Sequence, residues 1–340
     1  MPGTRCVVTP HHHNDSMTTP PLTPAQLDRA RGALAGTAVG DALGAPLEFG
    51  PVVPYPTPVV MTGGGPHGGT PGQWTDDTAM TLIIADAAAR HGGLHPAALD
   101  DIAVGFVDWA RMAPDVGVQT RTVFKELHGG PITAARMTQV AADFAARTAR
   151  ADGNGSLMRT APIALATLHD EDALVQAARA VSALTHAADD STDACVIWSG
   201  AMRHAVLHGT LDGVRASVAL LPAGRQARWH ALLDEAEAHE PWHFTNNGWV
   251  VHAVQAAWAA ITCTRPHEGA PASAFARALD HAVRCGSDTD TVGAIAGMLL
   301  GAVHGVEAMP ADWVAVVHGW PGRTGADLIA LADAMVAVTA

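Results

Sequence analysis

Two stretches of the chain carry glycine at every fourth position: Gly32, Gly36, Gly40 and Gly44 near the start, and Gly293, Gly297, Gly301 and Gly305 near the end. Four residues is close to one helical turn, so each set lies along one face if its segment is helical. Glycine in a helix interior costs about 1 kcal/mol relative to alanine. Four on one face therefore require a compensating gain, and close backbone approach to a neighbouring helix is the simplest one. A membrane would permit the same packing, but Asp41 interrupts the first ladder and His304 lies within the second. The two segments are expected to be the central helices of a buried bundle, with the glycines serving packing.

The rest of the chain also reads as helix. Alanine-rich segments with a period near 3.6 cover 24–40, 78–91, 97–112, 132–150, 171–185, 191–208, 226–238, 248–262, 271–285, 291–304 and 325–338. No stretch alternates with period two between turn signals, so a sheet is not expected. The 340 residues allow one large domain or two ordinary ones, and no composition shift marks a second. Disorder is excluded for most of the chain by 48% hydrophobic and 16% charged residues. The exception is 1–22, with His11, His12, His13 and an internal Met17. That stretch reads as a disordered leader, or as a start codon placed too early, leaving 23–340 as the domain. Thr23, Pro24 and Gln26 have the form of a capped helix start. The connection from about 45 to 75 is too long for a mere link, and loops of that length are usually functional.

The net charge is -13 and Lys125 is the only lysine, which argues against a nucleic-acid partner. That acidity either keeps the protein soluble or gathers carboxylates for a metal. Cys6, Cys195, Cys263 and Cys285 show no metal-like or disulfide-framework spacing. The first 25 residues lack the apolar run of a signal peptide, and no apolar stretch is long enough for a membrane span. A cytoplasmic protein without a membrane partner is expected, with a monomer preferred.

Two acidic clusters stand immediately ahead of apolar helices. The first is Gly72-Gln73-Trp74-Thr75-Asp76-Asp77-Thr78, and the second is Gly286-Ser287-Asp288-Thr289-Asp290-Thr291. A carboxylate at a helix start is commonly a cap. One acid suffices for that, and each cluster has two, whose mutual repulsion raises one pKa unless a cation neutralises it. Oxygen donors without a nearby His or Cys pair suit Mg²⁺ or Mn²⁺ rather than zinc. Asp41 on its glycine face is either buried and paired or lines a polar cavity. Asp152-Gly153-Asn154-Gly155-Ser156-Leu157-Met158-Arg159 offers backbone N–H groups and one phosphate partner, or is an ordinary Gly-Asn turn. His186, after Thr185, either orients a ligand or is structural.

In chain order these pieces resemble the ADP-ribosylglycohydrolase family: Gly36–Phe49 (G-x-x-x-G-D-A-L-G-A-P-x-E-F), Trp74–Thr78 (W-T-D-D-T), Asp115–Thr120 (D-x-G-x-x-T), Gly153–Arg159 (G-N-G-S-L-M-R), Thr185-His186 and Gly286–Gly305. The resemblance runs from about Ala30 to Gly305, and six motifs in order are specific where one is not. It implies an all-α orthogonal multi-helix bundle, with an active-site cleft at helix N-termini and two Mg²⁺ or Mn²⁺ ions. It also implies a ligand set: Thr75, Asp76 and Asp77 for one metal, Asp288 and Thr291 for the other, and Asp290 shared. Glu48 and Asp115 match acids that serve at the metal site or assist catalysis. Gly153, Asn154, Gly155, Ser156, Leu157, Met158, Arg159, His186 and Ser287 would meet the substrate. The implied reaction removes ADP-ribose from an acceptor by cleaving the C1″ bond. The acceptor would be an ADP-ribosylated protein, foremost at arginine, or a small ADP-ribosyl compound. Serine-linked and O-acetyl substrates, a non-catalytic ADP-ribose binder, and a metal-dependent hydrolase of another phosphate ester are the alternatives. Ser287 departs from the family, where a second glycine is frequent, as does Ala187, where proline often follows the Thr-His pair.

Overall fold

The computed structural model describes residues 21–127, 129–264 and 273–338. His11, His12 and His13, with Met1 and Met17, lie outside the described residues. Thr23 opens the first helix: its Oγ1 accepts from the Gln26 N–H at 3.3 Å, and its own N–H donates to Gln26 Oε1 at 2.9 Å. Pro24 follows in the first turn, where a missing N–H leaves no orphan.

From that cap the chain runs through α1 (Pro24–Gly44), α2 (Asp76–His91), α3 (Pro96–Ala110), α4 (Val118–Glu126) and α5 (Ala134–Arg147). Then come α6 (Ala161–Ala166), α7 (Glu171–Ala183), α8 (Asp189–His208), α9 (Gly213–Ala216) and α10 (Ala223–Ala238). The chain closes with α11 (Val250–Cys263), α12 (Ala274–Ala282), α13 (Thr289–His304), α14 (Ala311–Val316) and α15 (Gly325–Val338). The fold is all-α. Its one ladder among the described residues is a two-residue hairpin, with His318 opposite Thr324 and Gly319 opposite Arg323. The helices expected from periodicity are present with ends shifted by a few residues. Short α4, α6, α9 and α14 were not expected.

The glycine ladders mesh with each other. α1 and α13 run antiparallel at the centre, and a Cβ added to Gly32, Gly36 or Gly40 would collide with the carbonyl oxygen of Gly301, Gly297 or Gly293 respectively. The ends close differently. Gly44 lies against the backbone of Thr289 and Asp290, while Gly305, past the end of α13, lies against the Asp28 carboxylate. α8, α11, α12 and α15 surround this pair, and Trp198 on α8 donates its indole N–H to Ile295 O at 3.0 Å. Antiparallel pairing sets the C-terminal end of α1 beside the N-terminal end of α13. That juxtaposition builds the site.

The 45–75 connection is held by α12 and the turn after it. Buried Arg284 binds both Asp280 oxygens at 2.9 Å, donates to Val53 O at 3.2 Å and Thr57 O at 2.9 Å, and stacks 4.0 Å from the Tyr55 ring centre. The Tyr55 hydroxyl meets His281 Nδ1 at 2.7 Å. The loop so anchored carries Glu48 and Phe49, and the Phe49 N–H donates to Ser287 O at 2.6 Å. No described helix is long and apolar enough to cross a membrane.

Candidate functional site

α2 starts at Asp76 and α13 at Thr289; in α13 the first-turn Asp290 accepts the Thr291 N–H on Oδ1 at 2.9 Å. Thr75 and Asp288, the two N-cap residues, make no side-chain capping bond. Asp41 caps α2 instead, reaching across from α1. Its Oδ1 accepts from the Thr75 N–H and hydroxyl, both at 2.9 Å, and its Oδ2 from the Thr78 N–H at 3.1 Å and hydroxyl at 2.6 Å. Asp41 is thus buried and paired. It leaves Asp76 and Asp77 free of capping duty.

Two overlapping groups of carboxylates result. Asp41, Asp77 and Asp290 each offer an oxygen within 4.8 Å of the others, and so do Glu48, Asp288 and Asp290. Asp290 belongs to both. One oxygen of buried Asp77, Oδ1, has no hydrogen-bond partner among the described residues. Burial, reinforced by neighbouring carboxylates, pushes Asp76, Asp77 and Asp290 well above the usual carboxylate range. Burial likewise pushes Glu48 up to about 8, with Asp288, Asp115 and Asp41 adding to it. So many acids cannot share this space ionised without positive charge between them. An unpartnered carboxylate oxygen within an all-oxygen donor set fits hard divalent cations.

The cluster floors a cleft of about 600 Å³. Glu48, Asp76, Asp288, Asp290 and Thr291 line it, with Asp115 from the α3–α4 loop and Gly153, Asn154, Gly155, Met158 and His186 on the far wall. Thr75 and Asp77 lie beneath, with Thr75 Oγ1 3.1 Å from Asp77 Oδ2. Ser287, held at φ 58° in the left-handed region, stands outside the cleft lining. Ser156 and Leu157 are buried behind it.

The Gly-Asn-Gly turn does more than expose N–H groups. Asn154 donates its amide to Asp288 Oδ2 at 2.7 Å and to Asn247 O at 2.9 Å, while the Asp288 N–H donates to Asn247 Oδ1 at 3.1 Å. The flanking glycines clear space for a histidine. A Cβ at Gly155 would stand 2.9 Å from His186 Cε1, and one at Gly153 would stand 3.2 Å from Nε2.

Arg159 does not reach the cleft, contrary to the phosphate role expected of it. Its guanidinium is fully buried over the Phe106 ring at 4.5 Å and donates to Thr185 Oγ1 at 2.7 Å. Among the described residues the acceptor for the Thr185 hydroxyl proton is His186 Nδ1, 2.8 Å away. Nε2 must then carry the ring proton. Burial, with Arg159 adding to it, pushes the His186 pKa down to about 3, so the ring is a neutral donor aimed at the Gly153–Gly155 turn. Asp41, Asn247 and His67, whose Nε2 lies 3.1 Å from Glu48 Oε2, complete the surroundings. Sequence reasoning left Asp41 undecided and did not find Asn247 or His67. For those two the chain offers no signal beyond an Asn-Asn-Gly turn and a glycine-rich loop.

A profile described as ADP-ribosylglycohydrolase matches residues 22–340. An ADP-ribosyl-[dinitrogen reductase] glycohydrolase of Rhodospirillum rubrum is 34% identical over 298 residues, covering 86% of this chain and 90% of that one. An ADP-ribosylarginine hydrolase, Tri1, of Pseudomonas putida (strain GB-1) is 33% identical over 308 residues, covering 86% and 75%. Among solved structures, an ADP-ribosylglycohydrolase-related protein complex superposes with a TM-score of 0.72 at 30% identity, covering 94% of this chain and all of that one.

Proposed function

This chain belongs to the ADP-ribosylglycohydrolase family, and from that we propose that it hydrolyses the bond between C1″ of an ADP-ribosyl group and the guanidinium nitrogen of a modified arginine on a protein. The observation that carries the reading is the pair of carboxylate groups sharing Asp290 at the floor of an open cleft, with Asp77 Oδ1 unpartnered. Arginine is preferred among acceptors because a relative at 33% identity carries that linkage in its name.

Thr75, Asp76, Asp77, Asp288, Asp290 and Thr291 are the residues proposed to hold two Mg²⁺ or Mn²⁺ ions. Such cations supply electrophilic pull on ribose and water oxygens. The protein's own groups do the rest. Asp41 fixes Thr75 and the start of α2, and Asn154 fixes Asp288. His186 and the Gly153–Gly155 turn, on the far wall of the cleft, are proposed to meet the diphosphate and its neighbouring ribose, while the N–H groups of Asn154, Leu157 and Met158 are held by Gly248 O and Asn154 O. Glu48 and Asp115 stand on the open side, where a carboxyl can take a proton from the attacking water and return one to the departing nitrogen. Water oxygen becomes the new substituent of C1″, and the arginine leaves intact.

The test is release of ADP-ribose from arginine-linked and serine-linked peptides in parallel, with Mg²⁺ or Mn²⁺ and with chelator. Arginine-linked release that vanishes with chelator, and in Asp288→Ala, is expected. Release that survives either would refute the metal-dependent reading. Preference for the serine linkage would move the acceptor. Glu48→Gln and Asp115→Asn should differ in cost, with the proton-transfer residue losing about 10²–10⁴-fold.

A further inference from the structure

Residues 111–150 hold six Lys and Arg against three acids, in a chain whose net charge is -13. They comprise α4, α5 and the flanking loops, one wall of the cleft. Elsewhere the described cations are engaged: Arg31 with Asp333, Arg215 with Asp234 and Glu237, Arg225 with Asp190 and Asp193, Arg323 with Asp86. Arg121, Lys125 and Arg150 are exposed and form no side-chain hydrogen bond or ion pair with any described residue. Arg121 and Lys125 are four apart on α4 and so share a face.

Beside that face a second cavity of about 540 Å³ opens between the end of α3 and α4. Its floor is apolar, including Val107, Phe124, Leu127 and Ile132, and Arg111, Arg121 and Lys125 edge it. Val116 and Arg121 line both this cavity and the cleft, so the two are neighbours. The three most exposed large hydrophobics of the described chain lie nearby: Val118 at 85% and Phe49 at 71% line the neighbouring cleft, and Met112 at 74% follows Arg111 on the cavity's edge. Apolar side chains exposed together and rimmed by charge mark a docking surface.

We propose that this cavity docks a segment of the modified protein in which acidic residues flank an apolar side chain. The inference rests on the reading of the cleft as a site for protein-linked ADP-ribose, and it names the kind of acceptor surface. Unpaired cations at the rim of an otherwise acidic molecule would attract an acidic segment here and repel it elsewhere, orienting the acceptor toward the cleft. The apolar floor takes the side chain between the acids.

The probe is a short fluorescein-labelled peptide of Glu and Asp around a central Leu, carrying no ADP-ribose, beside a copy with Lys in place of each acid. Anisotropy at low salt should show binding of the acidic peptide alone, weakening as salt rises. Lys125→Glu should weaken it about fivefold, as loss of an exposed charge pair does. Arg90→Glu, which makes the same change in net charge at the end of α2, should not. Ile132→Ser, which leaves the net charge unchanged, should also weaken binding, which separates the apolar floor from charge alone. Equal binding of the two peptides, or equal effects of Lys125→Glu and Arg90→Glu, overturns the proposal. Peptide binding needs no turnover, so failure to release ADP-ribose from every substrate would sink the hydrolase reading without touching the docking surface.

Discussion

At the scale of single residues, the chain Arg159–Thr185–His186 converts a buried charge into a defined tautomer. Arg159 can only donate, so Thr185 accepts from it; the Thr185 proton has Nδ1 as its acceptor among the described residues, which leaves Nε2–H toward the cleft. The cost appears at low pH. His186 has a folded pKa of about 3, against about 6.5 for an unperturbed histidine. Across that window the unfolded chain binds a proton that the folded one does not, so stability falls as pH drops from about 6.5 toward 3. The slope approaches about 1.4 kcal/mol per pH unit for this residue. His186→Gln should flatten the fall by that amount when denaturant midpoints are compared with the unsubstituted protein at matched pH, which cancels the carboxylates common to both. Identical slopes would show that the ring is protonated or exposed. Arg159 also shows where residue-level reading stops. A Gly-Asn-Gly turn followed by arginine is a fair phosphate signature, and only the packing of Phe106 and Met80 against the guanidinium reveals that it faces inward. Asp76, Asp77, Asp288 and Asp290 were legible because each pair exceeds what a cap requires. Asp41 was not, since a lone acid within a helix does not say which other helix start it will meet.

At the scale of elements, the glycine ladders illustrate how much a period alone can specify. Spacing of four in two helices implied close backbone approach, and Gly32, Gly36 and Gly40 on α1 each oppose a glycine carbonyl on α13. The fourth rungs also approach the partner segment closely, but without a glycine opposite. Gly44 faces the backbone of Thr289 and Asp290, ahead of the first glycine of α13. Gly305 lies past the helix end with φ 81°, where both the positive φ and the Asp28 carboxylate beside it ask for glycine. Long apolar helices were legible for the same reason as the ladders. Short α4, α6, α9 and α14 were not: α6, α9 and α14 have six residues or fewer, and α4 (V-Q-T-R-T-V-F-K-E) is mostly polar, with only Thr120 and Val123 buried. Gly297→Ala should lower stability by about 3 kcal/mol or more, because the new methyl meets the Gly36 carbonyl, which cannot rotate aside. Gly224→Ala, in α10 with nothing within 4 Å of the added Cβ, should instead raise it by up to about 1 kcal/mol. Chemical denaturation of both variants tests this. Similar losses in the two would mean that helix propensity rather than the α1–α13 contact governs these positions.

At the scale of the molecule, folding brings together acids more than two hundred positions apart and collects them where the α1–α13 pairing ends. The net charge of -13 is therefore unevenly spread: a buried acidic floor, a basic wall on α4 and α5, and paired charges over much of the remaining surface. Like charges held together oppose the fold unless protonated or neutralised, and the upward push on Asp76, Asp77 and Asp290 measures that opposition in direction. Cations bound between them should then stabilise the folded state alone, since the unfolded chain has no such cluster. A ligand at a hundred times its Kd adds about 2.7 kcal/mol. Mg²⁺ or Mn²⁺ should raise the thermal midpoint, chelator should reverse the rise, and NaCl at matched ionic strength should reproduce little of it. Asp288→Asn should remove most of the increment while leaving the cation-free midpoint equal or higher, because it takes one negative charge from the cluster and keeps an amide for the contact with Asn154. A cation-free midpoint that falls sharply would mean that Asp288 supports the fold directly. Full retention of the divalent increment would put the cations elsewhere and remove the acidic floor as their site.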